Sequence, residues 1–151
     1  MAQQNTDRLL LVEKVLILKS LTIFKDSPEH ILADLAPLME EEEYEAGSDV
    51  FTEGDVGDCM YIIYQGEVNI HKRNTALAVL KEKEVFGELA LLDPEVRSAS
   101  ATAVTDCVLF RIDQEPFYEL LENRPEIARG FIKILCQRLR AQNEKSLRAT
   151  E

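Results

Sequence analysis

The sequence has few of the residues on which metal and disulfide chemistry depend. Its two histidines, His30 and His71, are far apart, and no group of carboxylates accompanies them at the spacing of metal ligands. The cysteines number three and lie outside any Cys-x-x-Cys pattern. We therefore expect no metal site, no disulfide framework and a reducing, cytoplasmic location.

Nucleophilic catalysis also lacks a candidate. Cys59, Cys107 and Cys136 lie in apolar strand or helix patterns, where a buried structural thiol is expected. Ser98 and Ser100 have no histidine close to them in the sequence, although sequence distance does not exclude one in space. The sequence favours a protein that is not an enzyme.

Long apolar runs are absent too. The run from Leu9 to Val12 is interrupted by Glu13 and Lys14 before it resumes at Val15, so it is too short to span a bilayer. The N-terminus does not have the pattern of a signal peptide. The prediction is a chain that does not span a membrane.

Positive charge is scarce except near the C-terminus. The chain has 17 basic and 28 acidic residues, a net charge of -11. Binding to a nucleic acid backbone requires clustered Lys and Arg, so no nucleic-acid partner is expected. Residues 124–151 contain seven basic and three acidic residues. That segment is expected to be a solvated helix face near the acidic body, with an acidic partner as the alternative.

The pattern of apolar residues changes twice along the chain. The pattern predicts helices in residues 7–39 and 114–146 and short strands in residues 40–113. Together these segments are expected to form one domain over 1–151. A helix is expected from Thr6 or Asp7 to Lys19, and a second one from Ser27-Pro28-Glu29. The strands predict a β-barrel or jelly roll. Turns with positive φ are expected at four glycines: Gly47, Gly54, Gly57 and Gly66. A hairpin is expected about Arg73-Asn74-Thr75.

The two terminal helical segments carry apolar residues in different patterns. In the N-terminal helix, each residue is rotated by about 100° from the one before, so the apolar side chains cannot all face one side. A second copy of the chain, as a homodimer, or a partner protein would cover those that remain exposed. The apolar residues of this helix are Leu9, Leu10, Leu11, Val12, Val15, Leu16, Ile17 and Leu18. At the other end, Gln114–Glu122 and a helix starting at Pro125 are expected. One face of the latter carries Ile127, Phe131, Ile134, Leu135 and Leu139.

Two motifs give the chain a family resemblance. "EGDVGDCMYIIYQGEV" is followed by "FGELAL", and Arg97 comes nine residues after Glu88. From about residue 15 to 145, the sequence resembles the cyclic nucleotide-binding domain of kinase A regulatory subunits, gated channels and the bacterial catabolite activator. The resemblance implies a mainly β fold with flanking α. That fold is a jelly-roll β-barrel (double-stranded β-helix) with N-terminal helices and C-terminal helices that act as a lid.

The segment around the second motif has the chemistry of an anion site. A short helix near Gly87 presents N–H groups to a phosphate, and the Arg97 guanidinium can bond two oxygens. Glu88 accepts hydrogen bonds only, which suits a ribose hydroxyl. The resemblance implies the same roles within a phosphate-binding cassette made up of Gly87, Glu88, Leu89, Ala90, Arg97, Ser98 and Ala99. The alternative is a structural pair between Glu88 and Arg97.

The base of the nucleotide needs an apolar pocket. Strand position alone indicates Ile70, Leu77 and Leu80 on the barrel wall. The resemblance implies that the last helix covers the base, with Phe131, Ile134 and Leu135 as the candidate contacts. Most of the apolar face of that helix is expected to be ordinary core.

The sequence departs from the family pattern in the cassette. Val96 replaces the proline that usually precedes the arginine, and Asp93 and Glu95 add carboxylates. Lys83 replaces a turn glycine, which costs about 1–2 kcal/mol if that position has left-handed geometry. We expect these changes to affect ligand affinity more than the fold.

The sequence thus predicts a regulatory module that binds a cyclic nucleotide, cAMP in preference to cGMP, with no covalent cofactor. The alternative is a degenerate domain that serves as a structural or protein-interaction module, and an enzyme using the barrel interior is the weakest reading. We expect no DNA-binding helix-turn-helix after the last helix. The sequence leaves open whether the chain is a stand-alone sensor or a fragment, and which effector it serves.

Overall fold

The structure, a computed structural model, describes residues 10–150, apart from the side chains of Leu89, Ile134, Arg138 and residues 148–150. Within residues 10–150, five α-helices and one turn of 3₁₀ helix, Ala36–Leu38, accompany the strands. The helices are α1 Leu11–Ser20, α2 Glu29–Leu35, α3 Glu88–Leu92, α4 Gln114–Asn123 and α5 Pro125–Thr150. None of the described helices is long and apolar enough to cross a membrane.

Ten strands occupy the middle of the chain. They are β1 Glu40–Tyr44, β2 Asp49–Phe51, β3 Val56–Gly57, β4 Cys59–Gln65, β5 Val68–Lys72, β6 Thr75–Leu80, β7 Val85–Phe86, β8 Glu95–Val96, β9 Ser100–Ala103 and β10 Cys107–Asp113. Two four-stranded sheets have the orders β1-β10-β4-β7 and β2-β9-β5-β6, and β3 pairs with β8. The strand pairs are antiparallel. The predicted jelly roll with flanking helices is confirmed.

Two hydrophobic cores share the central strands. Along β4, Met60 and Ile62 point into a helical core that also contains Phe117. The alternate residues Tyr61 and Ile63 point into a barrel core between the sheets. Because successive side chains of a strand face opposite ways, β4 is buried on both faces and reads as a continuous apolar run.

Helix α1 is partly exposed, as its pattern predicted. Leu18 is fully buried, whereas Leu11, Val12 and Leu16 are exposed. The predicted start of this helix, at Thr6 or Asp7, lies outside the described residues. Helix α2 begins at Glu29, directly after Pro28.

The cysteines differ from one another. Cys59 and Cys107 are buried, as expected, but Cys136 is exposed. The expectation for Cys136 was wrong, because the described side chains of α5 from Cys136 to Leu147 are all exposed to solvent. Among the described residues, no group of His, Cys, Asp and Glu could hold a metal ion.

Candidate ligand-binding site

A cavity of about 340 Å³ lies between the barrel wall and the segment from β7 to β9. This volume is in the range of small-molecule sites, roughly 300–1,000 Å³. Seven of the residues predicted for the site line it: Ile70, Gly87, Glu88, Ala90, Arg97, Ser98 and Ala99. Leu89 lies in α3, and its side chain is outside the described part of the chain. The structure therefore brings most of the predicted cassette to one cavity.

Gly87 makes the sharp turn from β7 into α3. Its φ is +78°, which disfavours residues with a Cβ. A Cβ at this position would lie 2.8 Å from Nη1 of Arg97 and 3.1 Å from the Cys59 carbonyl oxygen. The amide of Ala90 donates to the Gly87 carbonyl at 3.2 Å, and so it takes part in the first turn of the helix. Leu91 is fully buried in the helical core and anchors α3.

The main chain of Arg97 is held by the loop that precedes β3. Its amide donates to the Asp55 carbonyl at 2.7 Å, and its carbonyl accepts from the Gly54 amide at 2.9 Å. Next to it, the two-residue strands pair Val56 with Val96. The first motif, "EGDVGDC", thus fixes the backbone position of the arginine in the second motif.

The side chain of Arg97 is only 8% exposed. Its Nη2 donates to the Cys59 carbonyl at 2.9 Å and lies 3.5 Å from the Cys59 thiol. Its Cζ lies 4.2 Å from the centre of the Phe51 ring, in cation–π geometry. These contacts fix the plane of the guanidinium and leave its positive charge at the cavity wall.

Cys59 contributes no negative charge at neutral pH. Burial raises the pKa of its thiol, although the hydrogen bond with Tyr61 and the charge of Arg97 act in the opposite direction. The Tyr61 ring stacks on Phe86 at 5.1 Å, and Phe51 lies 5.9 Å from Phe86. This aromatic layer supports the side of the guanidinium that faces the barrel core.

Gly57 is close to Arg97 in a way that the sequence did not indicate. We predicted a turn glycine there, but positive φ occurs at Gly47, Gly54, Gly66 and Gly87. Gly57 lies instead in β3, and a Cβ added to it would be 2.3 Å from Nε and 2.5 Å from Cζ of Arg97. The turn prediction for Gly57 was wrong: the guanidinium occupies the space of a side chain. Phe51 and Cys59 were likewise missed as neighbours of Arg97.

We expect Gly57→Ala to displace the Arg97 side chain. The overlap should lower the free energy of unfolding by about 1–3 kcal/mol and should also weaken the binding of an anion to Arg97. Gly130→Ala is the control, because a Cβ at Gly130 in α5 meets no atom within 4 Å. That substitution should stabilise the helix by about 0.5–1 kcal/mol. Thermal unfolding of both variants checks the prediction, and equal stability of the two would contradict it.

The charged residues lining the cavity are Arg97, Glu88 and Glu95. Glu95 lies in β8 opposite Gly57 and is exposed, so solvent screens its repulsion of an anion. Glu88 opens helix α3 and is half-buried. The same cavity is thus lined by the nearly buried Arg97 and by the Glu88 carboxylate, the pair of groups that the sequence analysis assigned to a phosphate and a ribose hydroxyl.

The three barrel residues predicted for the base lie in different environments. Ile70 lines the cavity, and the β5–β6 register places Ala78 opposite it. Leu77, the neighbour of Ala78, is skipped where the β5–β6 register shifts, and it is 57% exposed. Leu80 packs against the barrel core and lines a different cavity, next to Leu21. In this structure only Ile70 is placed at the site.

Phe131 and Leu135, two of the three predicted lid residues, do not line the cavity. Phe131 is 3% exposed and packs edge-on against Phe24 and Phe117, with ring centres 5.4 and 5.0 Å apart. Leu135 is half-buried and is not a lining residue. The side chain of Ile134 lies outside the described residues. Phe131 thus belongs to the helical core here, and its role as a base contact remains a prediction.

Lys83 has the left-handed backbone geometry that the sequence analysis considered for this position. Its φ is +72°, a conformation that costs a side-chain-bearing residue about 1–2 kcal/mol relative to glycine. Its amide donates to the Ile63 carbonyl at 2.9 Å, which holds the turn before β7. The turn is preserved although the glycine is absent.

The fold agrees with comparisons to known proteins. The family model of the cyclic nucleotide-binding domain matches residues 41–124, more than half of the chain. The chain belongs to the cyclic nucleotide-binding domain family.

Its relatives include regulators of transcription and of kinases. A CRP-like cAMP-activated global transcriptional regulator of Mycobacterium tuberculosis is 32% identical over 132 residues, 84% of this chain and 59% of that protein. A cAMP-dependent protein kinase regulatory subunit of Eremothecium gossypii is 38% identical over 113 residues, 74% of this chain and 25% of that protein. The chain thus spans 59% of the first relative and 25% of the second, less than two thirds of either.

A solved structure has nearly the same extent as this chain. The N-terminal domain of a transcriptional regulator from Streptomyces coelicolor A3(2) superposes with a TM-score of 0.77 at 32% identity. The match covers 85% of this chain and 93% of that one. The resemblance stated from the motifs is therefore confirmed for family and fold.

Proposed function

We propose that the cavity binds a cyclic nucleotide and that the chain is a regulatory module rather than an enzyme. The observation that carries the proposal is Arg97: a nearly buried guanidinium at the cavity wall, oriented by a carbonyl, a thiol and an aromatic ring. A buried cation is costly unless an anion or strong acceptors compensate it. The phosphodiester of a cyclic nucleotide supplies such an anion.

The roles of the cassette residues follow from their chemistry. Arg97 bonds the phosphate oxygens with its planar fork, and Gly87 allows the backbone to approach the phosphate closely. Ser98 and Ala99 line the same cavity, with Ser98 exposed so that its hydroxyl can rotate toward an oxygen. Glu88 accepts a hydrogen bond from the ribose 2′-hydroxyl. Ile70 provides apolar surface for the base.

We propose cAMP as the preferred ligand, because the two relatives described above are named as cAMP-activated or cAMP-dependent. In this proposal the nucleotide shifts α5 between two positions, and the module passes that shift to an effector. The half-buried Leu135 lies one turn beyond Phe131 and is the residue proposed to cover the base. The absence of a nucleic-acid partner and the cytoplasmic location remain predictions from composition.

The ribose contact tests the proposal. Wild type should bind a 2′-deoxy cyclic nucleotide about 1.5–3 kcal/mol more weakly than the ribose form, the usual value of a hydrogen bond to a charged group. In Glu88→Gln the difference should shrink, because an amide makes a weaker bond with the hydroxyl. Calorimetry with both nucleotides and both proteins measures the four affinities.

The alternative of a structural Glu88–Arg97 pair predicts another pattern. Glu88→Gln would then unfold at lower temperature without ligand, and wild type would not distinguish the two nucleotides. Equal affinity of wild type for the ribose and deoxy forms would show that Glu88 does not bond the ribose 2′-hydroxyl. Absence of binding by either form would favour a domain that has lost its ligand.

A further inference from the structure

A second cavity, of about 310 Å³, lies between the first turns of α5 and the segment 23–35, which includes α2. It shares no lining residue with the cavity proposed for the nucleotide. Its volume falls within the range of small-molecule sites, roughly 300–1,000 Å³. Protein interiors are closely packed and keep few voids larger than a water molecule. The cavity is therefore a candidate binding site in its own right.

The walls of this cavity are apolar and belong to the helical core. Six buried side chains form them: Ile23, Phe24, Ile31, Leu35, Ile127 and Phe131. The rings of Phe24 and Phe131 pack edge-on, with their centres 5.4 Å apart. The Phe24 amide donates to the Leu21 carbonyl at 3.0 Å, and the Ile31 amide donates to the Pro28 carbonyl at 3.1 Å. Because core packing and backbone hydrogen bonds hold these residues, the apolar part of the site is formed before a ligand enters.

Gly130 leaves the cavity open on the side of α5. It is a lining residue, and a Cβ built on it would meet no atom within 4 Å. Its φ is not positive, so the backbone does not require a glycine at this position. Glycine is also a poor residue for the interior of a helix. What Gly130 provides here is free space beside the apolar walls.

The charged groups at the rim indicate the class of ligand. Asp26 and Glu126 line the cavity and are exposed, and no Lys or Arg is among its described lining residues. Neither carboxylate takes part in an ion pair within the part of the chain that the structure describes. The chain as a whole carries a net charge of -11. This field repels anions and attracts cations, and a cation can also lie favourably against a phenylalanine ring.

We propose that this cavity binds a small apolar molecule that carries one ammonium group. The apolar body of the ligand lies against the six walls, and the ammonium group lies at the rim, near the carboxylates of Asp26 and Glu126. Burial of the apolar body supplies the affinity, and the rim selects a cation over an anion. The site is separate from the nucleotide cavity, so this proposal does not depend on the function proposed above.

Tryptamine, an indole ring with an ethylammonium chain, is the probe. The chain contains no tryptophan, so the fluorescence of the probe is observed without an indole signal from the protein. Fluorescence and calorimetric titrations of wild type should show saturable binding of one tryptamine per chain. Indole-3-acetate has the same ring and a carboxylate in place of the ammonium group, and it should bind about tenfold more weakly or worse.

A substitution that fills the cavity tests the location. Gly130→Leu should abolish tryptamine binding and raise the melting temperature, because the leucine side chain occupies the free space and favours the helix. Ala141→Leu is the matched control, since Ala141 lies in the exposed part of the same helix. The control should bind tryptamine as wild type does. Circular dichroism verifies that both variants are folded.

Substitutions at the rim test the selection of a cation, and they keep the test decisive if Gly130→Leu does not fold. The double variant Asp26→Asn/Glu126→Gln should bind tryptamine about fivefold more weakly, the effect of losing two exposed ion pairs. Its affinity for uncharged indole should not change. The matched control is Glu119→Gln/Glu122→Gln, which removes the same charge from exposed positions of α4 outside this cavity. That control should bind tryptamine as wild type does.

Absence of saturable tryptamine binding up to millimolar concentration would overturn the proposal. So would equal affinity of wild type for tryptamine and indole-3-acetate, or wild-type binding in a folded Gly130→Leu variant. Unchanged tryptamine affinity in the rim variant, or an equal loss in its α4 control, would contradict the role given to the two carboxylates and would likewise overturn it.

Discussion

Arg97→Ala should lower nucleotide affinity by about 2 kcal/mol or more, roughly thirtyfold, because it removes a charge-assisted pair from a shielded site. The structure sharpens the reason. The guanidinium is held between the Phe51 ring and the Cys59 carbonyl, so its orientation is set before ligand binds. Arg97→Lys should also bind weakly, since an ammonium has neither the planar fork nor the stacking face.

The control for Arg97→Ala is Arg124→Ala. It removes the same charge, but Arg124 pairs with Asp34 at 2.9 Å and is not among the residues that line the cavity. Isothermal calorimetry should find wild-type affinity for the control. If Arg97→Ala and Arg97→Lys both bind as wild type does, Arg97 does not contact the phosphate.

Phe131→Ala should lower the free energy of unfolding by about 3–5 kcal/mol, the usual cost of removing a buried phenylalanine. Phe131 is packed between Phe24 and Phe117, so its loss leaves a cavity where α5 meets the other helices. For a domain of this size each kcal/mol corresponds to about 2–4 °C in melting temperature.

The neighbouring Ile132 provides the control, because it is 60% exposed on the same helix. Ile132→Ala should change stability by no more than about 0.5 kcal/mol. Thermal unfolding without ligand measures both variants. Wild-type stability in Phe131→Ala, together with weakened nucleotide binding, would show that Phe131 contacts the base and is not core.

Local patterns predicted most of the architecture. The hairpin expected about Arg73-Asn74-Thr75 is the connection between β5 and β6, and Pro125 marked the first residue of α5. The cassette was also readable, since Gly87 and Glu88 stand together and Arg97 follows within one loop. In each case the signal lies in residues close together in sequence.

The parts that the sequence did not predict depend on contacts between distant segments. Gly57 and Arg97 are far apart in the chain, and nothing local distinguishes a turn glycine from one that makes room for a guanidinium. A two-residue strand such as β8 has no periodicity to detect. Leu77 was predicted for the base pocket from strand position alone. Its actual place depends on the register between β5 and β6, which shifts between Ile70 and His71.

The sequence predicted correctly which residues share the apolar face of α5, but it did not predict which of them are buried. Leu139 continues the apolar face of Ile127 and Phe131, yet it is 59% exposed. Periodicity shows which residues share a face, not how far along the helix the rest of the protein extends. The described side chains after Leu135 have no such neighbour to bury them.

The most direct test is a calorimetric titration of the wild-type chain with cAMP and with cGMP, combined with thermal unfolding at the same ligand concentrations. We predict saturable binding of one nucleotide per chain, tighter for cAMP. At about 100 times the dissociation constant, the ligand should stabilise the fold by about 2.7 kcal/mol. No heat of binding and no rise in melting temperature with either nucleotide up to millimolar concentration would contradict the account.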